Sequence, residues 1–332
     1  MTLFKRKNGY YYIKLTRQGK VSWVTTKCRT KGAALQALQS YRKEDTEPRT
    51  LAVNFDQFRQ QILTYTASNY SRRSHEIYEL ALRRLEEHLT GRAIDQMTPR
   101  LAEEYKLWRL RSAKPVTVNI EIRTLRSAFN LAARWGIVGH NPFGKVAQIR
   151  IADSPPVFLT REQYATLLAV MDGAWVRDIV IFAVCTGMRQ GEILHLERRH
   201  IDQRRRVVHV TSTSTFKTKT GRRRVVPLND PALDVVRRQP DGQPFVFTYE
   251  GRPVRRDSLT HAFKRAVRAA GLPDEIHFHS LRHTFASWLV QDGVSLFQVG
   301  RLLGHTTTKT TEIYAHLQPE TMHDVVDRLK MG

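Results

Sequence analysis

The sequence predicts a multidomain α+β protein. It has a small three-stranded sheet with one helix, then a four-helix bundle, then a mainly helical domain carrying a small antiparallel sheet. Three observations lead there. The chain has 332 residues, about two typical domains with room for a third small one. Short aromatic and β-branched runs separated by turn signals occur near the start and again over 205–228. The rest carries apolar residues at helical spacing, bounded by capping residues.

Residues 1–43 contain Phe4, Tyr10, Tyr11, Tyr12 and Trp23 among short β-branched runs. Asn8-Gly9 and Gln18-Gly19-Lys20 supply turns, so three strands are expected. Ala33, Leu35, Ala37, Leu38 and Tyr41 then recur at helical spacing over 30–43. The segment holds eleven Lys or Arg and no Asp or Glu. A surface of one sign repels itself, which points to an anionic ligand. Glu44, Asp45, Glu47 and Pro48 break the pattern as a linker, so the first domain spans 1–48.

Residues 49–146 read as a helical bundle. Asn54 and Ser71 are the N-caps expected for the first two helices, and Thr98 followed by Pro99 opens the third. The fourth runs over about 117–135 and stops at Gly136. Ile120, Leu125, Phe129, Leu131 and Ala132 form its apolar side, and Arg123, Arg126 and Arg134 decorate it. Asn141-Pro142-Phe143-Gly144 ends the bundle, and an extended connector leads to Pro155-Pro156. In the third domain, 147–332, Thr160-Arg161-Glu162-Gln163 is a capping-box pattern.

Lys+Arg number 54 against 31 Asp+Glu, a net charge of +23, with a pI near 10.4. Such a surplus favours a polyanionic partner, nucleic acid before anionic membrane. The 41% hydrophobic and 26% charged fractions exclude collagen, general disorder and a membrane bundle. Cys28 and Cys185 form neither a disulfide framework nor a zinc pattern, and suit free thiols in a reducing cytoplasm. The N-terminus lacks the apolar core of a signal peptide. The most apolar stretch, 179–185, is far short of the ~20 residues of a membrane span and is expected to be a buried helix.

Chemistry concentrates in the third domain. TGMRQGEILHL (186–196) places Arg189 just after an apolar helix, with Glu192 three residues on. RRVVHVTSTSTFKTKTGRRRVVPL (205–228) reads as strand, turn and strand, with Gly221 beside Thr220 in the turn and Lys217 and Lys219 on its rim. HFHSLRHTFASWLV (277–290) sets His279 and Arg282 on one helix face, opposite Leu281, Phe285, Trp288 and Leu289. VGRLLGHTTTKTTEIYAHL (299–317) ends a helix at Gly304, puts His305 in the turn and Tyr314 in the next helix.

These residues resemble the tyrosine recombinase, or phage integrase, family. Its signature is an arginine in a TGxRxxE context, a hairpin lysine, an HxxR helix, an LGH motif and a tyrosine about nine residues later. Arg189, Lys219, His279, Arg282, His305 and Tyr314 match in order. The resemblance is close over about 156–332. Residues 49–146 are similar to the family's helical core-binding (SAM-like) domain, and 1–48 to its arm-type DNA-binding domain. The family's lysine precedes a Thr-Gly turn, which selects Lys219 over Lys217. The resemblance implies a site-specific integrase acting on duplex DNA at core-type and arm-type sites. It also implies a 3′-phosphotyrosyl link and a homotetramer on two duplexes, with accessory DNA-bending proteins as partners. An enzyme of this type would be phage or mobile-element encoded and work in the bacterial cytoplasm. Relatives that resolve chromosome dimers generally begin at the bundle, so the first domain favours an integrase.

The residue types suit that chemistry. Arg189 and Arg282 would hold the phosphodiester oxygens with bidentate forks, and His305 would add a hydrogen bond. Tyr314 would attack phosphorus. Lys219 would protonate the departing 5′ oxygen, and His279 would either accept a proton from Tyr314 or orient an arginine. The scheme requires no cofactor or metal, since the arginines supply the charge. His277, His279 and His283 have no fourth ligand at zinc spacing. Glu192 supports Arg189 or the local helix. The runs 204–206 and 222–224 are backbone phosphate contacts or solvated strand ends. His195, His200 and His209 receive no role. Val325, Val326 and Leu329 give the C-terminal tail an apolar edge suited to a neighbouring protomer. Two rivals remain: a DNA-binding regulator without catalysis, and a type IB topoisomerase.

Overall fold

The structure is a computed structural model. It describes all residues except 18–19, 47–53, 92–93, 153–154, 214–215, 217–220, 222, 319–325 and 327–332, with the side chains of 16–17, 20, 41–46 and 95 also left aside. Lys217, Lys219, Thr220 and Arg222 therefore lie outside the described residues, as do Gly19, Glu47, Pro48, Val325 and Leu329. The chain forms two compact units, Met1–Ala152 and Asp153–Gly332.

In the first unit, β1 (Thr2–Lys5), β2 (Tyr11–Arg17) and β3 (Lys20–Thr25) form an antiparallel sheet in that order. Ile13 lies opposite Leu3 and Val24 and, with Leu15, packs with Leu38 of α1 (Lys31–Thr46). Alternation sends their neighbours to the other face, where Tyr12 lies opposite Phe4 and Lys14 opposite Trp23. The Arg6 guanidinium sits 4.4 Å from the Tyr12 ring centre and 4.8 Å from that of Trp23. This face is basic and aromatic, and Phe4 and Trp23 are exposed.

The bundle follows as α2 (Phe55–Asn69), α3 (Arg72–Leu89), α4 (Pro99–Leu110) and α5 (Pro115–Arg134). Asn54, Ser71 and Thr98 each accept the backbone N–H three residues on, satisfying an otherwise orphaned donor. Helix α5 begins two residues before the expected start, because Pro115 takes the first-turn position where its missing N–H costs nothing. Phe58, Leu82, Leu85, Tyr105, Leu125 and Phe129 fill the core. Arg126 is not surface decoration: its Nε donates to the Phe143 carbonyl at 3.0 Å. Asn119 exchanges 2.8 Å bonds with the Ile149 backbone. The chain leaving the bundle has backbone groups in need of partners, and α5 supplies them.

The second unit contains α6 (Arg161–Ala169), with the expected capping box between Thr160 and Gln163, and α7 (Ala174–Thr186). Residues 179–185 fall in the C-terminal half of α7, which packs Phe182 against Phe247. After α8 (Gln190–Leu194) comes an antiparallel sheet of β4 (Ile201–Asp202), β5 (Val207–Val210) and β6 (Arg224–Pro227). Then follow α9 (Asp230–Arg238), the two-residue strands β7 (Thr248–Tyr249) and β8 (Arg252–Pro253), and α10 (Arg256–Ala269). Two further α-helices are α11 (Ser280–Gln291) and α12 (Leu296–Leu303). A main core spans α6 to α11, and a smaller one gathers Ala286, Val290, Val299, Leu303 and Tyr314. The mostly helical architecture with small antiparallel sheets is the one expected. Among the described residues, no helix is long and apolar enough to cross a membrane.

Candidate active site

Arg189 is placed by a helix stop. Gly187 closes α7 in the left-handed conformation, φ +60°, with its N–H on the Ala183 carbonyl. A Cβ there would meet Phe285 Cδ1 at 2.4 Å, so both conformation and space call for glycine. Arg189 then caps α8. Its backbone N–H donates to Glu192 Oε2 at 2.9 Å and its Nη1 to Oε1 at 3.1 Å. Glu192 also accepts from Arg224, at 3.0 Å from Nη1 and 2.6 Å from Nη2. Its side chain is 1% exposed. Burial works to raise the Glu192 carboxyl pKa, but the bonds and charge of Arg224, with those of Arg189, outweigh it and hold the carboxyl below its ordinary value.

Arg224 is thus no solvated strand end. On β6 it alternates with buried Val226, while Val225 is exposed, so its side chain turns inward. Its Nε also donates to the Leu302 carbonyl at 3.3 Å, and a Cβ on Gly304 would stand 2.7 Å from its Cδ.

Arg282 is buried on α11. Nη1 donates to the Gly187 carbonyl and Nη2 to the Leu303 carbonyl, each at 2.7 Å. One guanidinium therefore joins the segment before Arg189 to the segment before His305. Burial, then the charges of Arg189 and Arg224, push its pKa down to about 9, still charged at neutral pH. Gly304 ends α12 at φ +68°, and His305 Nδ1 lies 2.8 Å from the buried Thr311 hydroxyl. His279 occupies the N-cap of α11 rather than its body. Its ring meets that of His283 edge-on at 5.0 Å.

Tyr314 lies in a 3₁₀ helix, Glu312–Leu317, not in an α-helix. It is 2% exposed, and its hydroxyl is 2.7 Å from Nδ1 of His283. Burial raises its pKa to about 12, with the Arg282 charge working the other way. His279, His283 and His305 are each pushed down to about 4, first by burial and then by neighbouring imidazoles and guanidiniums. The site holds charged arginines beside neutral imidazoles.

The structure thus brings Arg189, His279, Arg282, His305 and Tyr314 into one linked cluster. Lys219 and Lys217 lie outside the described residues. Sequence reasoning passed over His283, Arg224 and Thr311 as members of the site. Alternation with Val226 signals the inward turn of Arg224; nothing in the local sequence signals Thr311. His195, given no role, donates from Nδ1 to the Gly191 carbonyl at 2.8 Å and stacks on Phe216 at 4.6 Å.

Comparison with known proteins bears on this cluster. The sequence profile of the phage integrase family matches residues 157–321, which span Arg189 through Tyr314. The chain belongs to the tyrosine recombinases of the phage integrase family. It is therefore a site-specific recombinase. A tyrosine recombinase of Thermosipho africanus is 27% identical over 66% of this chain and 77% of its own length. The integrase of Escherichia phage P2 is 28% identical over 70% of this chain and 64% of its own. A shufflon-specific DNA recombinase of Escherichia coli is 31% identical over 73% and 61%. The chain thus spans less than two thirds of the last two. In fold, it resembles a lambda integrase dimer bound to a core site, with a TM-score of 0.68 at 18% identity over 99% of this chain and 97% of that one. The Tn1549 transposon integrase bound to circular-intermediate DNA gives 0.68 at 22% identity over 83% and 99%.

Proposed function

We propose that this recombinase cleaves and rejoins duplex DNA by transesterification, with Tyr314 as the nucleophile. The observation that carries the reading is the double bond of Arg282 to the Gly187 and Leu303 carbonyls, beside the His283–Tyr314 bond. Together these bonds hold the three segments that bear Arg189, His305 and Tyr314 around one cationic locus. Arg189 and Arg282 bind the two non-bridging oxygens and stabilise the charge that grows on them in the transition state. His305 donates to the same oxygens. Tyr314 forms the phosphotyrosyl ester, which conserves the bond for religation. Lys219 protonates the 5′ oxygen, and His279 supports the arginines.

The three-domain division supplies the rest. Residues 147–332 cut, 49–146 complete the grip on core DNA, and 1–48 engage a second, arm-type site through the basic aromatic face of the first sheet. A lambda integrase has been seen as a tetramer on a Holliday junction, and a homotetramer is the assembly proposed here. Accessory DNA-bending proteins and a cytoplasmic location complete the reading.

The test is a covalent trap. A nicked duplex carrying the repeat that flanks the integrated element should capture the wild-type protein. Tyr314→Phe should form no adduct while binding the duplex within a few-fold. Loss of its bond to His283 should lower stability by only about 1 kcal/mol. A denaturation-resistant adduct from the Phe variant would remove Tyr314 from the mechanism.

A further inference from the structure

We propose that His283 takes the proton of Tyr314 during strand cleavage, a role that rests on Tyr314 being the nucleophile. The hydroxyl lies 2.7 Å from His283 Nδ1, within the range for direct proton transfer. An accepting Nδ1 is unprotonated, so the ring proton sits on Nε2. His279, the imidazole of the HxxR motif, reaches the site by a different contact: its ring abuts that of His283. Among the described residues, His283 is the group bonded to the Tyr314 hydroxyl.

The placement suits the step. The Arg282 charge acts on both His283 and Tyr314, so a phosphodiester held by the guanidinium comes to rest beside both base and nucleophile. As the Tyr314 Oη–P bond forms and the P–O5′ bond breaks, the hydroxyl proton passes to Nδ1. The departing 5′ oxygen receives its proton from Lys219. In religation the 5′ hydroxyl attacks, and the imidazolium returns its proton to the tyrosine.

The hydroxyl is a weak acid, at about 12, and the imidazole a weak base, at about 4. Transfer therefore accompanies bond formation and does not precede it. Around the imidazole stand His277, His279 and Arg282 from its own segment, Tyr314 from the 3₁₀ helix, and His305 from the turn after α12. The anionic phosphodiester offsets the guanidinium charge and raises the basicity of His283.

The experiment uses the full chain and the same flanking-repeat duplex, nicked and carrying a bridging 5′-phosphorothiolate. Sulfur leaves without a proton, so Lys219 drops out and the tyrosine proton is the one that counts. His283→Ala and His283→Asn are compared in single-turnover cleavage. Asn keeps an acceptor oxygen near the position of Nδ1 but does not take up a proton. Both should cleave about 10²–10⁴-fold more slowly while binding the duplex within a few-fold. The wild-type rate should fall on the acid side with a one-proton slope, a measurement that holds even where a variant misfolds. A near-wild-type rate for Asn would show that the hydrogen bond alone matters and overturn the proposal. So would a near-wild-type rate for Ala, or an acid side without a fall. An adduct from Tyr314→Phe would instead overturn the underlying nucleophile assignment.

Discussion

Replacing Glu192 by Gln keeps the shape of the side chain and removes its charge. In the protein each carboxylate oxygen accepts two bonds: Oε1 from Arg189 Nη1 and Arg224 Nη1, Oε2 from the Arg189 backbone and Arg224 Nη2. An amide offers one oxygen, so in either orientation its NH₂ faces two donors. Arg224, whose side chain is 12% exposed, also loses its buried counterion. Breaking a buried ion pair costs roughly 3–5 kcal/mol. The retained oxygen contacts place this case near the lower bound, ~3 kcal/mol. For a unit of about 180 residues, each kcal/mol lowers Tm by ~2–4 °C, or about 6–12 °C in all. The pH dependence follows from the depressed Glu192 pKa. A carboxylate held below its ordinary value stabilises the fold above that value and loses the contribution as pH falls through the folded one. The gap between wild type and variant should therefore be wide at pH 7 and close below about pH 4.3. Differential scanning calorimetry resolves the transition of this unit. A drop under 2 °C at pH 7, or a gap that persists in acid, would refute the reasoning.

Arg189→Lys keeps the charge but loses the planar fork, so strand cleavage should fall on the order of a hundredfold; near-wild-type cleavage would make Arg189 structural. Lys219→Ala should slow cleavage of an ordinary duplex and recover on a 5′-phosphorothiolate duplex, while Lys217→Ala shows the weaker defect. Rescue of Lys217→Ala instead would move the general acid by two residues. Deleting 1–43 should spare adduct formation on a core-site duplex and abolish recombination that needs an arm-type site. In filter binding to arm DNA, the full chain should show a steeper log–log salt slope than the deletion, by about 0.9 for each phosphate the segment neutralises. Equal slopes would leave the segment without a DNA role.

Elements with local signals were legible in the sequence. Asn54, Ser71, Thr98 and Thr160 cap the helices they were expected to cap, because a cap is a bond across three residues. The site was legible at Arg189, Arg282 and Tyr314 through motif spacing. What escaped was pairing over long separations. Arg224 and Glu192 meet across 32 residues, and His283 and Tyr314 across 31. A run of arginines looks solvated until the strand register turns one of them inward. Arg126 escaped for the same reason, since its carbonyl partner at Phe143 lies in the chain beyond the helix. The 3₁₀ form of 312–317 also carried no local signal.

The neutral imidazoles of the site make it a proton sponge in waiting. His279 and His305 stand at about 4 beside guanidiniums whose charge the Glu192 carboxylate offsets only in part. A bound phosphodiester adds negative charge, favours the protonated rings of His279 and His305 and raises both values. Association then draws protons from solution, and by linkage affinity rises as pH falls toward those raised values. The observed binding enthalpy should consequently vary with the ionisation heat of the buffer. Titration calorimetry in two buffers at one pH would count the protons taken up, a thermodynamic record of an anion entering this site before any strand is cut.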